Sequence, residues 1–249
     1  MVNPQQQGRY WDHITEHPPA IADALQLIES VLPGDAVRGK DALDAGCGAG
    51  DYTVALGQAG AHSVHSFDVS VGRMSLAAAK TTRGSFSQAS LTDLPYPAAS
   101  FDVIWVWGIL HYVPDPPAAL REIARVLRPG GVVVIHTSRR GFWSWLEING
   151  GRTLRSLPQG LQNALLSIGD GVITLSARVI SGKPPADQTA KSVRQKLQER
   201  LFVPGNIGMF SPAELIRGLG PSLETREFKA PVTDLLKRNM TMTLIGRKR

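Results

Sequence analysis

Apolar residues at Ile21, Leu25, Ile28 and Leu32 recur at helical spacing, and beyond Pro33-Gly34 the rhythm changes. Short apolar runs at 42–45, 62–67, 85–89, 101–107 and 132–137 read as strands, and segments near 51–59, 71–82 and 116–127 read as helices. Strands that alternate with helices argue a parallel sheet covered on both faces. The helix at 116–127 carries the clearest signals: Asp115 as cap, Pro116 in the first turn, and Leu120, Ile123, Ala124 and Leu127 on one face. Pro129-Gly130-Gly131 is expected to stop it and turn the chain into the fifth strand. Residues 138–205 break the alternation, with Trp143 and Trp145 followed by Leu154, Leu157, Leu161, Leu165 and Ile168 at mostly helical intervals. So long a connection with its own periodicity reads as a helical insertion, either a substrate cover at the sheet's C-terminal edge or a plain brace. The alternation resumes at Ser211-Pro212-Ala213-Glu214, a capping box that opens a helix to Leu219. A strand near 222–229 and a last one near 240–246 complete the chain.

At 249 residues this pattern fits one domain with an elaboration. The expected parts are an N-terminal lid and helix (1–33), a ligand-binding core (34–137), the insertion (138–205) and a C-terminal helix with a strand hairpin (206–249). The single cysteine, Cys47, excludes a disulfide framework, and residues 1–20 hold no continuous apolar h-region, so a cytoplasmic protein is expected. Charge is uneven. Residues 1–137 hold nine Lys and Arg against thirteen Asp and Glu, a net −4, and residues 138–249 hold 18 against 8, a net +10. The basic part would suit an acidic substrate, RNA or, through the amphipathic stretch 191–201, an anionic membrane surface; solvated helix faces would give the same count.

The chemistry concentrates at DALDAGCGAGDY, residues 41–52. An apolar run ends in Asp44, and Gly46, Gly48 and Gly50 follow at every second position before a helix. Glycines let the backbone turn tightly and approach a ligand, and the helix start points free N–H groups at it. A dinucleotide fingerprint fits poorly, because the third glycine comes one residue early and Asp44 would stand beside a pyrophosphate. A ligand with a cationic amino acid end suits that carboxylate.

With Asp68 closing the next strand in HSVHSFDVS, LPYPAASFDVIW at 94–105 and LHYVPDPPAALREIARVLRPGG at 110–131, the chain resembles the class I S-adenosylmethionine-dependent methyltransferases, especially the group acting on small molecules. The resemblance covers roughly the first 137 residues. It implies a Rossmann-like, doubly wound, mostly parallel seven-stranded α/β sheet with an antiparallel last strand. It also implies S-adenosylmethionine as cofactor, S-adenosylhomocysteine as product, and no metal.

By the same resemblance the cofactor-binding residues are Tyr10 as a lid residue, Asp44, Ala45, Gly46, Gly48, Gly50, Tyr52, Asp68, Val69, Ser90, Leu91 and Trp107. Asp68 would accept from both ribose hydroxyls. Ser90 stands where the family commonly has an acid facing the adenine amino group, and Leu91 would cover the ring. His111 is the first candidate for a general base, with His136 second, and Tyr112 would position the acceptor. Histidine at 111 also suits a hydrogen-bonded packing role.

The expected function is methyl transfer to O, N or C of a small or lipophilic molecule by a monomer or homodimer. The alternatives are an RNA or protein methyltransferase docking through the basic C-terminal part, and a non-catalytic binding protein of the same fold. WGIL stands after the fourth strand in place of an NPPY-like motif, which argues against adenine or glutamine amide methylation of that type.

Overall fold

The computed structural model describes residues 20–81, 84–141, 153, 156–158, 160–162, 164, 208–228 and 241–249. The chain divides into two compact units, one formed by 1–140 with 208–249 and the other by 141–207.

In the first unit the order is α1 (Ile21–Val31), β1 (Asp41–Ala45), α2 (Asp51–Gln58), β2 (Ser63–Asp68), α3 (Val71–Lys80), β3 (Gly84–Gln88), β4 (Phe101–Trp107), α4 (Pro116–Val126), β5 (Leu127–Ser138), α5 (Pro212–Leu219), β6 (Leu223–Phe228) and β7 (Thr241–Lys248). The seven strands form one sheet in the order β3-β2-β1-β4-β5-β7-β6, with β7 antiparallel to both neighbours and the other pairs parallel. The expected class, strand number and antiparallel last strand are all present.

Strand parity assigns each side chain to a face. Leu43, Ile104, Val106, Val133 and Ile135 pack with Leu120, Ile123 and Leu215 of α4 and α5. Ala42, Val64, Val103, Trp105 and Val134 pack on the opposite face with Ile28 and Val31 of α1 and Leu56 of α2. Strand β4 lies between β1 and β5 and is buried on both faces, which is why FDVIWVW reads as nearly continuous apolar sequence.

The helix starts follow local chemistry. The Asp115 carboxylate accepts from the Ala118 amide at 3.0 Å, and Ser211 and Glu214 form the reciprocal capping box. Most boundaries differ from expectation by one or two residues, and the largest difference is at the start of β5. Helix α4 ends at Val126, and β5 begins at Leu127 rather than 132, because Leu127 is already extended (φ −74°, ψ 130°) and pairs with Phe101. Arg128, Pro129, Gly130 and Gly131 then bulge out before Val132 pairs with Val103. From that bulge Arg128 donates to Asp41 (2.9 Å) and Asp102 (2.7 Å), pinning the ends of β1 and β4 opposite the ligand edge.

In the second unit the described residues make a turn, with the amides of Leu161 and Gln162 donating to the Pro158 carbonyl at 2.9 and 3.1 Å. Most of the expected insertion, including Trp143, Trp145 and the basic stretch 191–201, lies outside the described residues, as does Tyr10. No helix among the described residues is long and apolar enough to cross a membrane.

Candidate active site

Strand order reverses between β1 and β4, and the crevice at such a switch, outside the carboxyl ends of the strands, is where open α/β sheets bind ligands. The loop 46–50 lies there. The amides of Gly46 and Cys47 both donate to the Phe67 carbonyl at 2.9 Å, and the Gly48 amide donates to the Asp68 carboxylate at 2.8 Å. The second Asp68 oxygen accepts from the Ser70 amide at 2.9 Å. The carboxylate at the end of β2 is thus tied to the loop at the end of β1.

Two glycines in this loop are required by both conformation and space. Gly46 has φ +73°, and a Cβ there would stand 2.6 Å from Ile109 Cδ1; Gly50 has φ +84°, and its Cβ would meet Ala77 of α3 at 2.6 Å. At Gly48 the neighbour is the Arg73 guanidinium, 3.0 Å from where a Cβ would lie. The segment after β4, the first part of α3 and the glycine loop therefore close on one another.

Three buried carboxylates gather around the loop. Asp51 is paired with Lys80 Nζ at 2.7 Å. Asp44, 2% exposed, is paired with no cation among the described residues; it accepts from Thr53 Oγ1 at 2.7 Å. Because Thr53 spends its one proton on Asp44, the 2.9 Å contact between Thr53 and Ser66 must run from the serine to the threonine. Burial pushes the Asp44 carboxyl up to about 7, with Asp68 and Asp51 adding to the rise and the Thr53 hydrogen bond opposing it. Burial also raises the Cys47 thiol above its ordinary range, which keeps it protonated and unreactive.

The remaining expected residues fall into groups. Tyr52 lies in the first turn of α2 beside the loop, and Val69 follows β2, its carbonyl accepting from Gln88 at 3.1 Å. Ala45 and Leu91 turn their side chains into the core on the α4 face. Ser90 pairs with Thr92 through its hydroxyl at 2.8 Å and accepts the Asp93 amide through its carbonyl, forming a turn of its own. His111 and Tyr112 share a 3-10 turn after β4, and His111 Nδ1 meets the buried Thr137 Oγ1 at 3.3 Å. His136 lies in β5 in register with Trp107, stacks on its ring at 4.1 Å, and bonds Thr243 of β7 through Nδ1 at 2.9 Å. Burial pushes its imidazole down to about 4, so it is neutral at pH 7.

Thr53, Ser66, Ile109, Arg73 and Thr243 were not among the sequence candidates. Their roles depend on contacts between elements rather than on local pattern.

Residues 43–135 match the family described as "Methyltransferase domain". The chain is 33% identical over 132 residues to 27-O-demethylrifamycin SV methyltransferase of Amycolatopsis mediterranei, covering 49% of this chain and 47% of that one. It is 39% identical over 119 residues to demethylmenaquinone methyltransferase of Bacillus licheniformis, covering 45% and 50%. The chain thus spans about half the length of these curated relatives. In fold it is similar to the N-methyltransferase NodS of Bradyrhizobium japonicum, solved with S-adenosyl-L-homocysteine, at a TM-score of 0.57 and 14% identity over 99% of each chain. The match over residues 43–135 and the seven-stranded topology agree with the glycine cradle and its carboxylates: this segment is similar to the methyltransferase domain, set in a fold similar to that of S-adenosylmethionine-dependent methyltransferases.

Proposed function

We propose that the chain binds S-adenosylmethionine in the crevice between β1 and β4 and methylates a small organic acceptor. The observation that carries this reading is the tie between Asp68 and the Gly48 amide, which puts a carboxylate and a glycine loop side by side at the switch point. When bound, S-adenosylmethionine supplies a methyl group on a sulfonium sulfur and leaves as S-adenosylhomocysteine. Asp44 would take the ammonium of its amino acid end, supplying the cation this buried carboxyl lacks among the described residues. Asp68 would take the ribose hydroxyls with lone pairs not used on Gly48 and Ser70. Ser90 and Leu91 would border the adenine through their backbone, and Tyr52, Val69 and Trp107 would flank the cradle.

An in-line displacement gains most from alignment and exclusion of water, so the protein's main task is to hold the acceptor. His111, backed by Thr137, and His136, backed by Thr243, stand at the ends of β4 and β5 as proton acceptors, with Tyr112 beside His111 at 4.1 Å between ring centroids. The similarity to enzymes named for demethylrifamycin and demethylmenaquinone supports a small-molecule acceptor. A cytoplasmic location accords with Cys47 as a free thiol.

Calorimetric titration with S-adenosylmethionine and S-adenosylhomocysteine, beside an Asp68→Ala variant, tests the reading. Micromolar or tighter binding that collapses in the variant supports it. A folded protein that binds neither compound refutes it.

A further inference from the structure

On the face of the sheet that carries α1 and α2, one row breaks the apolar pattern. Val64, Ala42 and Val103 form one row across β2, β1 and β4, and the register places Ser66, Asp44 and Trp105 side by side in the next. Ser66 is wholly buried, and Asp44 and Thr53 are each 2% exposed. Thr53, in the first turn of α2, stands over this row: its hydroxyl donates to Asp44 Oδ2 at 2.7 Å and accepts from Ser66 at 2.9 Å. Two hydroxyls from different elements thus act in series, Ser66 on Thr53 and Thr53 on Asp44. Asp44 Oδ1 takes no hydrogen bond among the described residues, so it is the oxygen left for a ligand.

Packing does not call for this arrangement, since three apolar side chains close the neighbouring row without the cost of burying polar groups. Burial drives a carboxyl toward its neutral form, and a hydrogen bond donated to it opposes that. The acids around Asp44 act in the same direction as burial: Asp68 at the end of β2 and Asp51 on α2 both disfavour a further negative charge. Lys80 of α3 is committed to Asp51 at 2.7 Å, and Arg73 of α3 lies against Gly48. Cys47 of the loop and Tyr52 of α2 also face Asp44, and burial keeps both protonated. The neighbour on β4, Trp105, carries no charge. Against burial and the two acids stands Thr53, which favours the charged carboxylate chiefly through its hydroxyl.

We propose that Thr53 and Ser66 are positioning residues whose hydroxyl chain holds Asp44 as the carboxylate that receives the cofactor's ammonium, so that Thr53 sets the pH above which the chain binds the cofactor. The inference rests on the assignment of S-adenosylmethionine to the crevice and adds the regulation of that same site. Ser66 acts through Thr53: by donating to the threonine oxygen it commits the threonine proton to Asp44 and polarises that bond. Because Thr53 stands in the helix that opens at the glycine loop and Ser66 in the strand that ends at Asp68, the elements that shape the cradle also ready its buried anion.

The test is calorimetric titration with S-adenosylhomocysteine between about pH 5.5 and pH 8.5 on wild type, Thr53→Val, Thr53→Ser and Ser66→Ala, each checked for folding by circular dichroism. Wild-type affinity should rise with pH about a midpoint near 7. Valine keeps the branched shape and removes the hydroxyl, and losing one hydrogen bond to a charged group should move that midpoint up by about one pH unit. The deficit of Thr53→Val against wild type is then about tenfold at pH 5.5 and shrinks to within about twofold at pH 8.5. Taking the ratio at each pH cancels the ligand's own titration. Thr53→Ser, which restores the hydroxyl, should return the midpoint toward that of wild type, and Ser66→Ala should move it upward by less than Thr53→Val does. A deficit of equal size at every pH marks a merely structural role and overturns the proposal, as does an unmoved midpoint in Thr53→Val. Should Thr53→Val fail to fold, an unmoved midpoint in Ser66→Ala overturns it in the same way. Wild-type binding that is independent of pH overturns the proposal and leaves the cofactor assignment standing, whereas a folded wild type that binds no S-adenosylhomocysteine at any pH overturns that assignment instead.

Discussion

Replacing Asp44 with Asn should invert the way stability responds to pH. Asp44 has an ordinary carboxyl value of 3.8 and is pushed up to about 7 by burial, so between those values the native chain holds a proton that the unfolded chain has released. A state that binds more protons is disfavoured as pH rises, so this group lowers stability from about pH 4 to about pH 7. Between pH 5 and pH 8 the loss is roughly 2.5 kcal/mol at about 1.4 kcal/mol per decade. Asn carries no charge and keeps an oxygen for Thr53, but its amide adds a buried donor without a partner, costing about 1–3 kcal/mol. The variant should therefore be less stable than wild type at pH 5 and lose that deficit at pH 8.

His136 titrates in the same range with the opposite sign. Its value drops from 6.5 to about 4, so it contributes stability above about pH 6.5 that is lost as pH falls toward 4. The wild-type profile therefore contains two opposing slopes, and it is the variant-minus-wild-type difference that isolates Asp44. Urea denaturation at pH 5, 6, 7 and 8 measures that difference. Parallel profiles for the two proteins would show that Asp44 holds no displaced proton and would refute the reasoning. The ligand arm follows from the same ionisation: an ammonium needs the charged carboxylate, so wild-type affinity for S-adenosylhomocysteine should fall about 25-fold from pH 7.5 to pH 5.5. Asp44→Asn should bind weakly and without that dependence.

Asp68→Asn should weaken S-adenosylhomocysteine binding by about tenfold or more and Asp68→Ala further, since hydrogen bonds to a charged group contribute about 1.5–3 kcal/mol, as read by calorimetry. Gly50→Ala should cost about 2–5 kcal/mol in chemical denaturation, because a left-handed φ is combined with a Cβ 2.6 Å from Ala77 in α3. Thr243→Val should cost about 1 kcal/mol and broaden the His136 ring signals in NMR spectra, since the hydrogen bond from the imidazole to Thr243 is gone. Arg125→Met should cost about 1–3 kcal/mol in the same denaturation assay: Arg125 donates to the carbonyls of Leu94 and Tyr96 and pairs with Glu122, which in turn accepts the Leu94 amide.

What the sequence made legible is what lies close together along the chain. The glycine loop, Asp44 at the end of β1 and Asp68 at the end of β2 fall within 25 residues, and each rests on strand alternation and turn chemistry that are local. The capping box at Ser211 and the Asp115 cap were readable for the same reason. The start of β5 was not, because Pro129-Gly130-Gly131 is an ordinary helix stop, and only pairing with Phe101 turns Leu127 into strand. Thr243 gave no local sign of a role. It lies 107 residues from His136, and only the antiparallel register of β7 brings the two together. Ser90 illustrates the reverse case: its place in the pattern was legible, but its hydroxyl is taken by Thr92 in the turn it forms.

That register also bears on the chemistry. His136 and Thr137 are consecutive on β5, so the pleat sends them to opposite faces of the sheet. His136 faces the side of Trp107 and is oriented by Thr243, while Thr137 faces the other side and orients His111 after β4. One strand end thereby sets the position of both candidate proton acceptors. A slip of one residue against β7 would exchange the two faces, bringing Thr137 toward Trp107 and removing the support of His111. The pairing of β5 with β7, continuous from Val132–Arg247 to Ser138–Thr241, resists that slip along seven residues. The antiparallel last strand therefore does more than complete the sheet: it orients His136 and, through Thr137, His111 at the ends of β5 and β4, while the Gly48–Asp68 tie joins the ends of β1 and β2.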